Sequence, residues 1–211
     1  MTPWTPSGTV YGTLLNFRRE WDLWSARMTQ DPHKAAPKAP VLYVKTANTF
    51  CPASQELLLQ DGVSEVDIGA TLGLVMGAQA RVVGAVLLGD WSVPHTSYYR
   101  PPVKFRCRDG FLALPAQPTP CSHTDAFAQL RIEVRRNGEH VQTIDLRDLV
   151  RAMPKLLADV GEFMTLQSGD VLMVGSDCLA DGTRPRAQAG DRVEISAPGF
   201  APVTTTVRGA A

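Results

Sequence analysis

A chain of 211 residues with 21 Lys and Arg against 21 Asp and Glu carries no formal net charge. That balance argues against a nucleic-acid or anionic-membrane partner, each of which draws on a basic excess. Hydrophobic residues at 44% and charged residues at 20% suit a globular chain, and the length suits one domain over residues 1–211. No apolar run reaches the ~18 residues of a membrane span. The opening MTPWTPSGTVYG lacks the charged start and apolar stretch of a signal peptide. None of Cys51, Cys107, Cys121 and Cys178 forms a C-x-x-C pair, so a zinc site is not indicated and a reduced, cytoplasmic protein is expected.

Residues 8–12 (GTVYG) read as a short strand. Over residues 14–28 the recurrence of Leu14, Phe17, Trp21, Trp24 and Met28 predicts an amphipathic helix. Three prolines make 32–40 a loop, and β-branched and aromatic content makes 41–46 (VLYVKT) a strand. The Val- and Leu-rich runs 71–76 and 81–88 are expected strands, bounded by glycines. Residues 90–102 and the proline-rich 110–120 are expected loops. Leu130, Ile132 and Val134 alternate with charged residues, and Asn137-Gly138 signals a hairpin returning through 140–144. Asp145 is a candidate cap for a helix over 146–153. Pro154 suits the first position of a further helix, with Leu156, Leu157, Val160, Phe163 and Met164 as its buried stripe. Residues 171–174 and 192–197 complete the predicted strands. Without regular alternation of strands and helices, a β-rich α+β fold is favoured over a doubly wound sheet.

Several segments resemble the fumarylacetoacetate hydrolase superfamily, in that family's order. They are Tyr43-Val44-Lys45, Gly89-Asp90-Trp91-Ser92, Phe163-Met164-Thr165-Leu166, Gly169-Asp170-Val171-Leu172-Met173-Val174-Gly175-Ser176 and Ala189-Gly190-Asp191-Arg192-Val193-Glu194-Ile195. Tyr99-Arg100-Pro101 and Cys107-Arg108-Asp109-Gly110-Phe111 are similar to the amino-terminal halves of its isomerase/decarboxylase branch, which degrades homoprotocatechuate. The resemblance implies a mixed β-sandwich roll with flanking helices, acting on a 2-oxo dicarboxylate or tricarboxylate. It also implies a homodimer, or a heteromer with a second subunit of the same family.

The family holds Mg²⁺ or Mn²⁺ with an E-x-E pair on one strand and a loop Asp. Residues i and i+2 of a strand share a face, so two carboxylates can grip one ion, which then stabilises an enolate as a Lewis acid. Asp90 matches the loop Asp. The E-x-E positions fall on Gly69 and Thr71, neither a carboxylate. Carried over by resemblance, Glu20, Lys45 and Arg106 are the catalytic candidates. Asn16, Lys45, Arg106 and Ser176 are the substrate-binding candidates, and Pro94 stands at a family arginine. Simpler readings stand beside these. Asp90 would cap a turn and Lys45 would be solvated at a strand end. Glu65 and Asp67 would be solvated at a strand entrance, and Arg100, Arg106, Arg108 and Asp109 would form a surface ion-pair cluster. His95 would be exposed, and Cys107 a small buried hydrophobe. Trp4, Trp21, Trp24, Tyr98 and Tyr99 would be core or interface. Three functions remain open: an active decarboxylase/isomerase, a degenerate subunit supporting an E-x-E partner, and a binding module without chemistry.

Overall fold

The structure is a computed structural model that describes residues 3–53, 55–95 and 102–210. The first strand, β1 (Val10–Leu14), ends where Leu15 turns the chain with a φ of 56°. The helix predicted over 14–28 is therefore confined to α1 (Arg18–Met28). The chain continues through β2 (Val41–Lys45), β3 (Phe50–Cys51) and β4 (Leu57–Leu58) into two long strands, β5 (Glu65–Met76) and β6 (Val82–Ser92). Both outrun the predicted segments. Asp90 consequently lies inside a strand rather than in the loop expected from residue 90.

After the short helix α2 (Val103–Arg106) come β7 (Leu112–Ala113) and β8 (Thr119–Pro120), two brief pairings within the proline-rich stretch. β9 (Arg131–Arg136) and β10 (Glu139–Asp145) form the predicted hairpin, with Asn137 and Gly138 both at positive φ as a type I′ turn requires. Asp145 does cap, accepting from Arg147 N, but it caps a single 3₁₀ turn over Leu146–Asp148 and not a helix to 153. α3 (Met153–Gly161) carries Pro154 in its first turn and buries Leu156 and Val160. It stops before Phe163, which is 54% exposed and so is not part of a buried stripe. β11 (Val171–Met173), β12 (Arg186–Gln188), β13 (Arg192–Ser196) and β14 (Val203–Arg208) complete the chain. β14 escapes a reading of the sequence because its three threonines read as polar. Its buried Val203, Thr205 and Val207 follow strand alternation.

Among the described residues the strands form two sheets. One runs β2-β1-β11-β5-β6-β7-β3, with β12 paired to β5 and β8 to β6, and the other runs β10-β9-β13-β14-β4. Between them lies the larger core, in which Leu72, Leu74, Leu87 and Trp91 meet Ile132, Val134, Val193 and Ile195. On the opposite face of β5 and β6, Val75, Val86 and Leu88 pack with Val10, Val171 and Met173. β5 and β6 are thus covered on both faces. That is why their sequences are nearly continuous in apolar residues and show no period of two. The result is the β-rich α+β architecture expected. Among the described residues no helix is long and apolar enough to cross a membrane.

Candidate functional site

Asp90 is the centre of a buried charge cluster. Its Oδ1 lies 2.8 Å from Lys45 Nζ and its Oδ2 2.8 Å from Arg106 Nη1. The Tyr43 hydroxyl donates to the same Oδ2, and the Arg106 guanidinium stands 4.6 Å from the Tyr43 ring centroid, in range of a cation–π contact. Lys45 Nζ also donates to the carbonyls of Trp91, at 3.1 Å, and Arg106, at 2.6 Å. The solvated-lysine, turn-cap and surface-pair readings of Lys45, Asp90 and Arg106 therefore fail, since these residues are only 1%, 1% and 2% exposed.

Local structure explains the convergence. Tyr43 and Lys45 sit two apart on β2 and share a face. The Tyr43 ring lies across Gly12 of β1, directly paired with it, where any Cβ would fall 2.0 Å from the ring. Asp90 projects from β6 opposite Gly69 of β5, and α2 delivers Arg106 from the far side.

Two cations now face one carboxylate. For Asp90, burial pushes the carboxyl pKa up, but Lys45 and Arg106 together outweigh it and the net shift is downward. For Lys45, burial pushes the ammonium down further than the shared Asp90 can restore. Burial and the neighbouring Asp90 charge both push the Tyr43 hydroxyl well above its ordinary range, so it remains a donor.

The residues present do not fit a divalent metal. Gly69 and Thr71 offer no carboxylate, and Thr71 Oγ1 is committed to Gly175 O at 2.6 Å. A Cβ at Gly69 would meet Asp90 O at 2.4 Å, so no side chain at 69 fits this backbone. No group of three or more His, Cys, Asp or Glu side chains among the described residues is placed to share an ion. Asp90, the one carboxylate at the family's ligand positions, is instead paired with two positive side chains of the chain itself.

The remaining candidates sit around this cluster in different ways. Ser176 is buried, and its Oγ has no hydrogen-bond partner among the described residues. It would lie 3.1 Å from a Cβ on Gly69, which places it beside Asp90. Glu20 is buried on α1, with Oε1 2.8 Å from Arg184 Nη2 and Oε2 accepting from Leu15 N at 3.2 Å. Arg184 also reaches Ser176 O at 3.3 Å and so links Glu20 to the site. The Asn16 amide is taken up by backbone: it donates to Arg151 O and Val174 O and accepts from Arg151 N. Tyr43 and Arg184 were not among the sequence candidates. Tyr43 was findable as the residue two before Lys45, whereas Arg184 lies in a loop that carries no local signal.

Other expectations need correction. Asp67 is not solvated: it is 8% exposed and paired with Arg186 at 3.3 Å. Arg186 also pairs with Glu65, at 2.6 Å. His95 is half-buried, its ring stacked 4.8 Å from Phe105 with Nδ1 2.8 Å from Val93 O. Cys107 is only half-buried, with Sγ 3.1 Å from Val44 O. Arg108 is half-buried and donates to Gln60, and Asp109 accepts from Asn48, so neither joins Arg106. Arg100, Tyr98 and Tyr99 lie outside the described residues. All four cysteines are free thiols, and burial pushes Cys51 and Cys178 up to about 11, which leaves both unreactive near neutral pH.

Comparison with known proteins agrees with this fold. The chain matches the fumarylacetoacetate (FAA) hydrolase C-terminal family over residues 9–208, and it belongs to that family of enzymes. It is 33% identical over 210 residues to a 4-hydroxyphenylacetate degradation bifunctional isomerase/decarboxylase of Escherichia coli, covering 95% of this chain and 47% of that protein. Its identity to the protein of the same description from Salmonella dublin is 34% over 203 residues, 92% of this chain and 45% of that one. The chain thus spans about half the length of these relatives. Among solved structures, fumarylpyruvate hydrolase from Pseudomonas aeruginosa, in complex with Mn²⁺ and pyruvate, superposes with a TM-score of 0.76 at 18% identity. That match covers 96% of this chain and 90% of that one, and at this identity it carries the fold alone.

Proposed function

We propose that this chain is the metal-free half of a cytoplasmic isomerase/decarboxylase of 4-hydroxyphenylacetate (homoprotocatechuate) catabolism, a single domain that works beside a second family member carrying the E-x-E pair. The whole assembly would decarboxylate 5-carboxymethyl-2-oxo-hex-3-ene-1,7-dioate and isomerise the 2-hydroxyhepta-2,4-diene-1,7-dioate formed. The carrying observation is the Asp90 carboxylate, sealed from solvent and ion-paired at 2.8 Å to both Lys45 and Arg106. A carboxylate so neutralised is a poor ligand, because a metal would have to displace two buried cations whose desolvation is already compensated. The relatives' isomerase/decarboxylase descriptions, and their doubled length, support the placement beside a partner.

A second reading has one observation in its favour. Ser176 Oγ is buried beside Asp90 without a partner among the described residues, and an unsatisfied buried hydroxyl is what a bound substrate oxygen would complete. On that reading the chain binds a 2-oxo dicarboxylate through Lys45, Arg106 and Ser176 without turning it over.

The test is a decarboxylation assay by loss of substrate absorbance. It compares the chain alone with the chain co-purified with a family member that carries the acidic pair. The expected result is no turnover by the chain alone, turnover by the mixture with Mg²⁺, and co-elution of the two chains. Metal-dependent turnover by the isolated chain at the rate of the mixture would contradict the proposal.

A further inference from the structure

In the five-stranded sheet, outside the Asp90 cluster, two tight turns lie side by side where β9 meets β13. One joins β9 to β10 through Asn137-Gly138, the only Asn-Gly pair in the chain, with both residues at positive φ. The other joins β12 to β13 through Gly190, at a φ of 96°, and Asp191. A single side chain, that of Asn137, ties the two together. Its Nδ2 donates to Asp191 Oδ1 at 2.7 Å, and its Oδ1 accepts from Arg192 N at 2.8 Å. Asn137 N also donates to Arg192 O at 2.8 Å. Asp191 is only 8% exposed and is fixed in its own turn by accepting from Gln188 N at 2.9 Å.

Asn-Gly is also the pair most open to deamidation, because glycine has no side chain to hinder attack by its own nitrogen. Asn137 and Gly138 are exposed, and a Cβ on Gly138 would meet nothing within 4 Å among the described residues. In the reaction the Gly138 amide gives up its proton and its nitrogen attacks Asn137 Cγ. The new N–Cγ bond closes a succinimide ring, the Cγ–Nδ2 bond breaks, and Nδ2 leaves as ammonia after taking up a proton. Water then opens the ring at either carbonyl to leave aspartate or isoaspartate, with no change of oxidation state. Against this stands the hydrogen bonding of the folded chain. For Cγ to turn towards Gly138 N, the amide must give up both Asp191 Oδ1 and Arg192 N.

We propose that Asn137 is a deamidation site held shut by the Asp191 turn: the reaction is slow while the two turns are docked and runs freely once they part. The modification then prevents redocking. It replaces the Nδ2 donor with a carboxylate oxygen facing Asp191 Oδ1, so two like charges meet where a hydrogen bond stood. The site involves neither the Asp90 cluster nor a partner chain, so its failure would leave the subunit reading intact.

The test follows aspartate and isoaspartate at position 137 by peptide mass spectrometry during incubation in mildly alkaline buffer. It compares the folded chain with the same chain unfolded in guanidinium chloride. Deamidation about tenfold or more slower in the folded chain is expected, as two side-chain hydrogen bonds that must open first imply. A second arm measures melting temperatures of Asn137→Asp, Asp191→Asn and the two combined. Each single variant should melt lower than wild type. The combined variant should recover most of the loss, because the amide at 191 can then donate to the carboxylate at 137 while its oxygen still accepts from Gln188 N. Equal deamidation rates in the folded and unfolded chain would overturn the proposal. So would losses that simply add in the combined variant.

Discussion

Asp90 and Asp145 are each an aspartate held between two basic side chains, one inside the protein and one at its surface. Asp90 and its partners Lys45 and Arg106 have side chains 0%, 0% and 3% exposed. Asp145 is 15% exposed, and its partners Arg131 and Arg147 are 62% and 55% exposed. At the surface the arrangement needs no explanation beyond a turn. Asp145 accepts from the Arg147 backbone and its neighbours gather round it, which contributes little to stability. In the interior the same charges forgo water, and such a triad is seldom more stable than apolar packing of equal volume. A buried aspartate held by two buried cations is therefore not explained by stability alone.

The comparison predicts unequal losses. Asp90→Ala should destabilise the chain by about 3–5 kcal/mol in urea denaturation, because it strands two buried cations. Asp145→Ala should remove less than about 1 kcal/mol. Equal losses would break the distinction. Next in size is Gly69→Ala, expected to lower stability by about 1–3 kcal/mol because the new methyl meets Asp90 O at 2.4 Å and β5 must move from β6. Tyr43→Phe, which removes one donor to Asp90 but leaves both ion pairs, should cost about 1–2 kcal/mol. Salt gives the smallest effect: 1 M NaCl should erase most of the Asp145→Ala difference and leave that of Asp90→Ala unchanged.

pH separates the groups by sign. The Asp145 carboxyl is held well below the usual carboxylate range, mainly by hydrogen bonds from Arg147. Asp90 is depressed as well, its cations outweighing burial. Both contribute stability that is present above the ordinary carboxyl pKa of ~4 and is lost as pH falls through the folded values. Lys45 runs the other way: its pKa is lowered chiefly by burial. Between that lowered value and ~10.4 the unfolded chain holds a proton that the folded chain has released, so stability rises with pH. Lys45→Met should abolish that alkaline rise in melting temperature while leaving the acid limb in place.

The sequence carried the fold well where side chains repeat with a period or a turn demands a residue type. The β9–β10 hairpin at Asn137-Gly138 and the Pro154 start of α3 are examples. It failed where long-range pairing sets the limits of an element. β6 continues through Asp90 to Ser92 because β5 offers partners as far as Asp67, which no local pattern announces. The absent acidic pair was legible at Gly69 and Thr71. Lys45 and Arg106 were each legible as candidates, but their pairing on Asp90 was not, because they are 61 residues apart and meet only through β2, β6 and α2. Asp67 and His95 escape a local reading for the same reason: Asp67 pairs with Arg186 of β12, and His95 stacks on Phe105 of α2.

The central claim is that Asp90 is neutralised internally and holds no metal. Calorimetric titration of the purified chain with Mn²⁺, beside a folded Asp90→Asn control, tests it directly. The account predicts no saturable binding up to roughly millimolar metal, since a lone carboxylate flanked by cations lacks the several oxygen ligands a hard ion needs. Micromolar Mn²⁺ binding that disappears in the Asp90→Asn control would contradict it.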